Sequence, residues 1–359
     1  MENELGILAR IERARRHTPT RLKDRHITLS HGSGGKAMHD LIEVVFLRAF
    51  DNPLLAARED QAIFQLDGAS RLAFTTDSSV VKPLFFPGGD IGKLAVHGTV
   101  NDLAVSGAEP LYLSAGFILE EGLDLEILER IVASMRDAAD AAGVRIVTGD
   151  TKVVERGKAD GVYINTAGVG VFRREVELSA TSIQAGDAVL VSGPIGDHGT
   201  AVLIARGELE LESDLESDTA PLHGLVGALL DAVPEGVRAL RDATRGGVAT
   251  VLVEMALRSE TCMLLSESSI PVRPEVRGAC EILGLDPLYV ANEGKMVIVV
   301  APEAAGPALA ALRAHPFGQG AARIGEVRSA PPGMVFLRTV TGGTRVVDML
   351  AGEQLPRIC

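Results

Sequence analysis

Residues 125–152 read LEILERIVASMRDAADAAGVRIVTGDTK, and this stretch decides the fold class. Apolar residues recur at three- and four-residue spacing from Leu125 to Ala142, the period of an amphipathic helix. Gly143 follows, as a helix stop should. Val144–Thr148 is then a short apolar run, the pattern of a buried strand. A helix feeding a strand through one glycine predicts α/β (α+β) architecture, and the mixture recurs in both directions. Upstream, Ala62–Leu66 and Leu72–Thr76 flank Asp67-Gly68-Ala69-Ser70 as a hairpin, and Ile91–Gly107 is a helix rich in small residues. Downstream, Val162–Phe172 is a strand region, and Gly186-Asp187 opens a second unit at the strand Ala188–Ser192. Helices are expected around 222–232, after Gly247 and over 303–313, with a strand at Met296–Val300. The chain therefore divides near residue 175. A domain over 27–175 and a second α/β domain over 176–338 are expected, after a basic extension (1–26) and before a flexible tail (339–359).

Composition narrows the function. A chain of 359 residues suits about two domains of ordinary size. It is 46% hydrophobic but only 4% aromatic with no tryptophan, so aliphatic residues must build the core. A net charge of −13 repels nucleic acid and anionic membrane surfaces. No apolar run reaches the roughly 18 residues of a membrane span, and Met1-Glu2-Asn3-Glu4 does not open a secretory signal. Three cysteines without CxxC spacing argue against a disulfide framework or a cysteine zinc site. A cytoplasmic enzyme is expected. Residues 1–26, with Arg10, Arg13, Arg15 and Arg16, read as a flexible extension or a docking arm for an acidic partner. Glu208–Asp218, with six acidic residues, reads as a solvated loop or helix face.

The chain ends Pro356-Arg357-Ile358-Cys359. A thiol on the last residue is a poor core group and a poor disulfide anchor but a good movable nucleophile; the bland alternative is a frayed terminus. Prenylation needs three residues after the cysteine, and there are none. The adjacent α-carboxylate should raise the thiol pKa, an effect that Arg357 or a partner's site could offset. About 20 residues of coil reach roughly 25 Å, enough to visit another site. His31-Gly32-Ser33-Gly34-Gly35-Lys36 lets backbone N–H groups converge on an anion, with a lysine beside them; it lacks Walker A spacing, and a plain turn is the alternative. Asp60, Asp77 and Asp150 each adjoin a strand-like run. Singly each reads as a turn or cap; together with Asp242, a hard-oxygen site for Mg²⁺ and phosphate becomes a competing reading. His97 and Asn101 stand four apart on one helix face, for a ligand or for solvent. Asp242-Ala243-Thr244-Arg245-Gly246-Gly247 precedes an apolar helix and so forms an anion site. Asn292-Glu293-Gly294-Lys295 and Gly196-Asp197-His198-Gly199 read as turns or as ligand loops.

Together these segments resemble the HypE family of hydrogenase maturation factors, in the superfamily of aminoimidazole ribonucleotide synthetase and selenophosphate synthetase. The resemblance runs from residue 27 to 359, and the terminal Pro-Arg-Ile-Cys is its most specific part. It implies a two-domain aminoimidazole ribonucleotide synthetase-like fold, a homodimer formed through the N-terminal domain sheets, and ATP with Mg²⁺ in a cleft. It implies that Cys359 receives a carbamoyl group from the carbamoyltransferase HypF. ATP would then drive dehydration to a thiocyanate, whose cyano group passes to iron on the HypC–HypD complex for the nickel–iron centre. By the same resemblance Cys359 is the carrier, Glu293 and His97 accept protons, and Lys152 positions or neutralises the oxygen. Gly32, Ser33, Gly34, Gly35, Lys36, Asn101, Thr151, Asp242 and Arg245 would hold the nucleotide; Asp60, Asp77, Asp150 and Asp242 would hold the metal. Residues 1–26 exceed what the family pattern needs, and Cys262 and Cys280 have no place in it. A selenophosphate synthetase-like enzyme would want a cysteine or selenocysteine in the 31–36 segment, where there is none. Aminoimidazole ribonucleotide synthesis would leave Cys359 unexplained. A tail-presenting scaffold without catalysis would leave the aspartates and the glycine-rich loop unexplained.

Overall fold

Strand sequences that alternate between two faces account for both sheets of the computed structural model, which describes residues 22, 24–50, 52–65, 71–207, 213–350, 352, 355 and 357–359. Most of the basic extension, the Asp67–Ser70 turn, Glu208–Glu212 and Pro356 lie outside the described residues. After a 3-10 turn at Leu29–Gly32 comes the α-helix Lys36–Leu41 (α1), continued by one π turn, Ile42–Leu47.

The first sheet contains Ala62–Gln65 (β1) and Arg71–Ser79 (β2). The small pair Phe85–Phe86 (β3) and Gly89–Asp90 (β4) leads into the helix Ile91–Val105 (α2). Then come Glu109–Glu120 (β5), the helix Leu125–Ala141 (α3), Arg145–Val154 (β6) and Val162–Val171 (β7), giving the order β1-β2-β7-β5-β6. Only β5 and β6 pair in parallel, because α3 supplies the crossover that a parallel pair requires. Asp124 caps α3 by accepting from the Glu126 N–H at 2.9 Å, and Gly143 ends it at φ 67°. The periodic side of α3 buries Ile131, Met135, Ala138 and Ala139.

Helix α2 is enclosed: only Lys93 and Asp102 are not buried. Its small residues permit this. A Cβ on Gly92 would lie 2.5 Å from the Ile131 carbonyl oxygen, and one on Gly98 would lie 2.3 Å from Asp77 Oδ2. The inner face of the sheet packs on α2 and α3, whereas its outer face exposes Phe74, Tyr112 and Ile118. The edge strand β6 is exposed from Arg145 to Val153, which corrects the expectation of a buried strand at Val144–Thr148. Only Val144 is buried there, since this edge strand is left uncovered on both faces.

The second sheet comprises Ala188–Val191 (β8), Val237–Asp242 (β9), Cys262–Ser266 (β10), Met296–Val300 (β11), Ala322–Arg328 (β12), Met334–Arg338 (β13) and Thr344–Val347 (β14), in the order β14-β13-β10-β12-β8-β11-β9. Strand β11 is buried along its whole length because both faces are covered. Val297 and Val299 join a core with the helix Gly247–Ser259 (α6), while Met296, Ile298 and Val300 join one with His223–Ala232 (α5) and Ala305–Ala314 (α8). Two further helices, Asp197–Ala205 (α4) and Pro274–Leu283 (α7), share a small core through Ala201, Val276 and Cys280, and Val202 of α4 joins the first sheet's core. Strand β14 falls inside the stretch expected as tail, so regular structure continues beyond residue 338. Among the described residues no helix is long and apolar enough to cross a membrane.

Ile131 is fully buried between α3 and α2. Ile131→Ala should lower unfolding stability by about 2–5 kcal/mol, measured as a reduced urea midpoint with an unchanged slope.

Candidate active site

The end of the chain folds into a cleft between the two sheets. The N–H of Lys36 donates to the Leu350 carbonyl at 3.0 Å and the Ser33 hydroxyl to that of Gly352 at 3.2 Å. Farther on, the N–H of Val80 donates to a terminal oxygen of Cys359 at 2.8 Å, and that of Lys82 to the Arg357 carbonyl at 3.2 Å. Ile358 is 4% exposed. Arg357 has φ 52°, a left-handed conformation that costs about 1–2 kcal/mol for a residue with a Cβ.

The Cys359 thiol therefore stands among charges. Burial pushes its pKa up to about 12; Arg245 opposes the shift, while Glu293, Asp77 and Asp242 reinforce it. The glycine-rich loop makes this arrangement possible. Gly34, at φ 74°, lies so close to Arg245 that a Cβ would meet its carbonyl carbon at 2.5 Å, and a Cβ on Gly35 would meet the Leu350 oxygen at 2.4 Å. Arg245 Nη1 donates to the Gly32 carbonyl at 3.1 Å. The Arg245 pKa is raised, first by the Cys359 sulfur and then, against the opposing effect of burial, by Asp77, Glu293 and Asp102.

Three carboxyls in the cleft are pushed well above the ordinary range. For Glu293 the causes are burial, then Asp77, Asp242 and Asp218, against Arg245. For Asp242 burial comes first, followed by Asp60, with Asp77 adding to it and Arg241 opposing. For Asp102 burial is followed by Asp242, Asp60 and Asp77, while a hydrogen bond from the Thr75 hydroxyl at 2.8 Å works the other way. Glu293 Oε1 is buried and has no hydrogen-bond partner. Its backbone is fixed: the Glu293 N–H donates to Asp218 Oδ1 at 2.9 Å, and Asn101 Nδ2 donates to its carbonyl at 3.1 Å. Gly294 is obligatory beside it, since a Cβ would sit 1.8 Å from the Asp218 oxygen.

The expected residues do not all converge. Cys359, Glu293, Arg245, Asp77 and Asp242 do, with Gly32, Ser33, Gly34 and Gly35 against Arg245 and the tail. Asp60 is held by Arg241 Nε at 2.9 Å, and Arg241 also pairs with Glu254 at 2.9 Å. Lys36 directs its amine to Asp40 at 3.3 Å rather than to the cleft. Asn101 bonds only backbone: besides Glu293, it donates to Ala220 O and accepts from Leu222 N–H. His97 is buried, bonded through Nδ1 to the Thr219 hydroxyl at 3.1 Å, and lowered to about 3 by burial, Lys93 and His223.

Asp150, Thr151 and Lys152 stand apart within one chain. Across the sheet Asp77 aligns with Thr166, Ala115 and Gly149, so β6 lies three strand spacings away, about 14 Å. Asp77 faces inward to Gly98, whereas Asp150 aligns with Gly116 and Asn165 on the exposed outer face. There Lys152 Nζ pairs with Asp150 at 2.6 Å, both side chains 70% exposed, and that lysine lowers the Asp150 pKa. The expected ligand set Asp60, Asp77, Asp150 and Asp242 is therefore not assembled by one chain. The reason is sheet order, since both aspartates lie inside strands rather than at neighbouring strand ends. Among the described residues no three acidic, histidine or cysteine groups converge to hold a metal by themselves.

Two members of the cleft were not singled out from sequence. Asp102 follows Gly98 by four residues and so shares its helix face; an acidic residue inside a small-residue helix was the available signal. Asp218 closes the acidic run expected to be solvated, yet its side chain is 2% exposed and pairs with Lys295 at 3.3 Å. Nothing in the sequence joins those two positions.

Comparison with known proteins agrees with this geometry. Residues 58–172 match the family model described as AIR synthase related protein, N-terminal domain, and residues 184–337 match its C-terminal domain. The chain thus has the two-domain architecture of the AIR synthase-related proteins. It is 54% identical over 341 residues to carbamoyl dehydratase HypE of Cupriavidus necator, covering 95% of this chain and 97% of that one. Among solved structures, HypE in a HypE–HypF complex aligns with TM-score 0.82 at 49% identity (86% of this chain, 99% of that chain). HypE in complex with ATP aligns with TM-score 0.78 at 51% identity (93% and 100%). The chain belongs to the carbamoyl dehydratase HypE family.

Iodoacetamide should modify Cys359 slowly at pH 8 in the docked state. Because the thiol ionises only near pH 12, the rate should climb about tenfold per pH unit through pH 10. A plateau near pH 9 would instead report a thiol that is not held among these groups.

Proposed function

We propose that the chain dehydrates a carbamoyl group carried on its own Cys359, converting the S-carboxamide to an S-cyanate with ATP, for the cyanide ligand of nickel–iron hydrogenase. The single observation that carries this reading is the docked terminus, with Cys359 beside Glu293, Arg245, Asp77 and Asp242. It agrees with the family membership.

An amide oxygen leaves poorly, so it must first be phosphorylated. The carboxamide oxygen attacks the γ-phosphorus of ATP, ADP departs, and one N–H proton is lost to give an O-phosphorylated imidate. Loss of the second N–H proton with cleavage of the C–O bond releases phosphate and leaves S–C≡N. Glu293 suits the proton acceptor: it is buried in the cleft, carries an unpartnered oxygen, and has a pKa raised by burial and by Asp77, Asp242 and Asp218, which makes its ionised form more basic than an ordinary carboxylate. His97, lowered to about 3, is a weak base and serves better as a neutral group holding Thr219. Arg245 faces the developing negative charge. Phosphoryl transfer rests mainly on positioning and charge. The oxygen-only donor set fits Mg²⁺, which binds one or two carboxylates together with phosphate oxygens. Asp77 and Asp242 are the carboxylates that would hold it, and it would neutralise the phosphate charge. Gly32–Gly35 offer backbone to the nucleotide.

HypF is the proposed donor of the carbamoyl group and HypC–HypD the acceptor of the cyano group, all in the cytoplasm. Carbamoyl transfer to sulfur needs a thiolate, so it belongs to an undocked tail. The exposed outer sheet face and the bare edge of β6 support a homodimer through the N-terminal sheets, which would carry Asp150, Thr151 and Lys152 toward the partner's cleft. The division near residue 175 keeps the dimer sheet in one domain and Asp242, Arg245 and Glu293 in the other.

With HypF, carbamoyl phosphate and Mg-ATP, Cys359 should gain about 43 Da and then fall to about 25 Da above the free thiol, the arithmetic of carbamoyl and cyano replacing hydrogen on an activated nucleophile. Glu293→Gln should keep the first mass and slow the second step by about 10²–10⁴-fold. Cyano product at the unaltered rate in that variant would remove Glu293 as the base. Val147→Arg on β6, where Val147 is 58% exposed, should shift the sedimentation coefficient from dimer to monomer.

A further inference from the structure

We propose that Asp160, His198 and Arg206 form a recognition site for the chain's own terminal peptide Arg357-Ile358-Cys359, acting as positioning residues separate from the carboxylates that do the chemistry. The proposal rests on the carrier role of Cys359, and it names the groups that hold the carrier in place.

Three different elements read three successive features of the peptide. Asp160, in the turn between β6 and β7, takes the Arg357 side chain, with Nη1 to Oδ2 at 2.7 Å. Arg206, at the C-terminal end of α4, donates through Nη2 to the Arg357 carbonyl at 2.8 Å and through Nε to the Lys82 carbonyl at 2.9 Å. One planar guanidinium thus ties the tail to the segment beside which it lies, a fork geometry that a lysine cannot reproduce. His198, the second residue of the same helix, lies 2.6 Å through Nε2 from the Ile358 carbonyl and 2.8 Å through Nδ1 from the Ser217 hydroxyl. The carbonyl can only accept, so Nε2 carries the proton and the Ser217 hydroxyl donates to Nδ1. His198 is fully buried in the docked state, where the Phe86 ring at 5.5 Å and the Ser217 hydroxyl orient its ring toward the Ile358 carbonyl.

These contacts specify a ligand class: a C-terminal peptide with arginine third from the end and an apolar residue next to last, in extended pairing with residues 80–82. They also oppose the left-handed backbone at Arg357, which would otherwise favour release. Asp160 belongs to the first sheet's unit and α4 to the second, so the peptide is read only where both are in place.

The test uses full-length chains and iodoacetamide at pH 8, with each cysteine followed by peptide mass spectrometry. Cys262 and Cys280, both 2% exposed, act as internal monitors of the fold. Asp160→Ala and His198→Ala should each raise the Cys359 rate by about 10-fold or more while Cys262 and Cys280 stay protected. His198→Gln, which retains an N–H donor, should fall between. An unchanged Cys359 rate in Asp160→Ala, whose turn position leaves the core intact, overturns the proposal, as does cyano product at the unaltered rate in both alanine variants. Faster alkylation in the variants together with no cyano product from the unaltered chain would refute the dehydratase reading and leave the recognition site standing.

Discussion

Crowding acidic groups into a buried cleft is the constraint on which this molecule turns. Two like charges about 4 Å apart repel by about 4 kcal/mol at an effective dielectric near 20. Asp77, Asp102, Asp242 and Glu293 share such a space. Burial and mutual repulsion push three of these carboxyls toward their neutral forms. The fold tolerates this because two arginines sit inside the group. Arg241 holds Asp60 and Glu254, and Arg245 faces Glu293 and the thiol. Such an arrangement is poor for stability alone, since a buried ion network rarely outperforms packed apolar residues. Under the proposed function its value lies in what it would receive: cations, phosphate under Arg245, and protons on Glu293.

Close backbone approach is how the chain gathers these groups from distant segments. Helix α2 must be nearly all small or aliphatic to be enclosed by both sheets' cores, and this enclosure brings Asp77 against Gly98 and Asn101 against Glu293. Gly34, Gly35 and Gly294 do the same at the loops, each where a Cβ would strike backbone. The glycine-rich segment thus works here as a spacer that admits Arg245 and the returning tail. Any contact with phosphate comes on top of that packing role.

Much of this was legible in the sequence. Periodicity located α3, an apolar run located β11, and a small-residue stretch located α2, each within a residue or two, because strong patterns outweigh local ambiguity. Cys359, Arg245, Asp77 and Asp242 were chosen on chemical grounds and Glu293 by resemblance, and the fold brings them together. What sequence could not give was the order of strands. Asp77 and Asp150 look equivalent along the chain, each within Thr-x-Asp-like surroundings at an apolar run, yet they point to opposite faces three strands apart. Burial of β6 failed for the same reason, since an edge strand and a central one share a local pattern. Asp102 and Asp218 were hidden because their meaning depends on Thr75, Asp242 and Lys295, residues 27 to 140 positions away. The tail was expected to be loose beyond residue 338, but β14 pairs with β13, and the last residues take backbone hydrogen bonds from Val80 and Lys82.

Under the proposed function, the docked terminus explains why a carrier thiol and its processing site can share one chain without the thiol being consumed there. A thiolate among Glu293, Asp77 and Asp242 is penalised, which is why its pKa rises toward 12. The free thiol is thus silenced when docked and nucleophilic only when released. Once sulfur carries a neutral carboxamide, there is no proton to lose and no anion to bury. The same electrostatics that quench the thiol then accept its carbamoyl ester, whose oxygen can turn toward Arg245 and whose N–H bonds can turn toward Glu293. Under the proposed reading, chemical state alone sorts the tail between its two locations: charge on sulfur drives it out and neutrality lets it in. The peptide contacts at Asp160, His198 and Arg206 need only be strong enough to hold the neutral form, which is consistent with three hydrogen-bonded points and a strained Arg357 rather than a covalent or extensive interface.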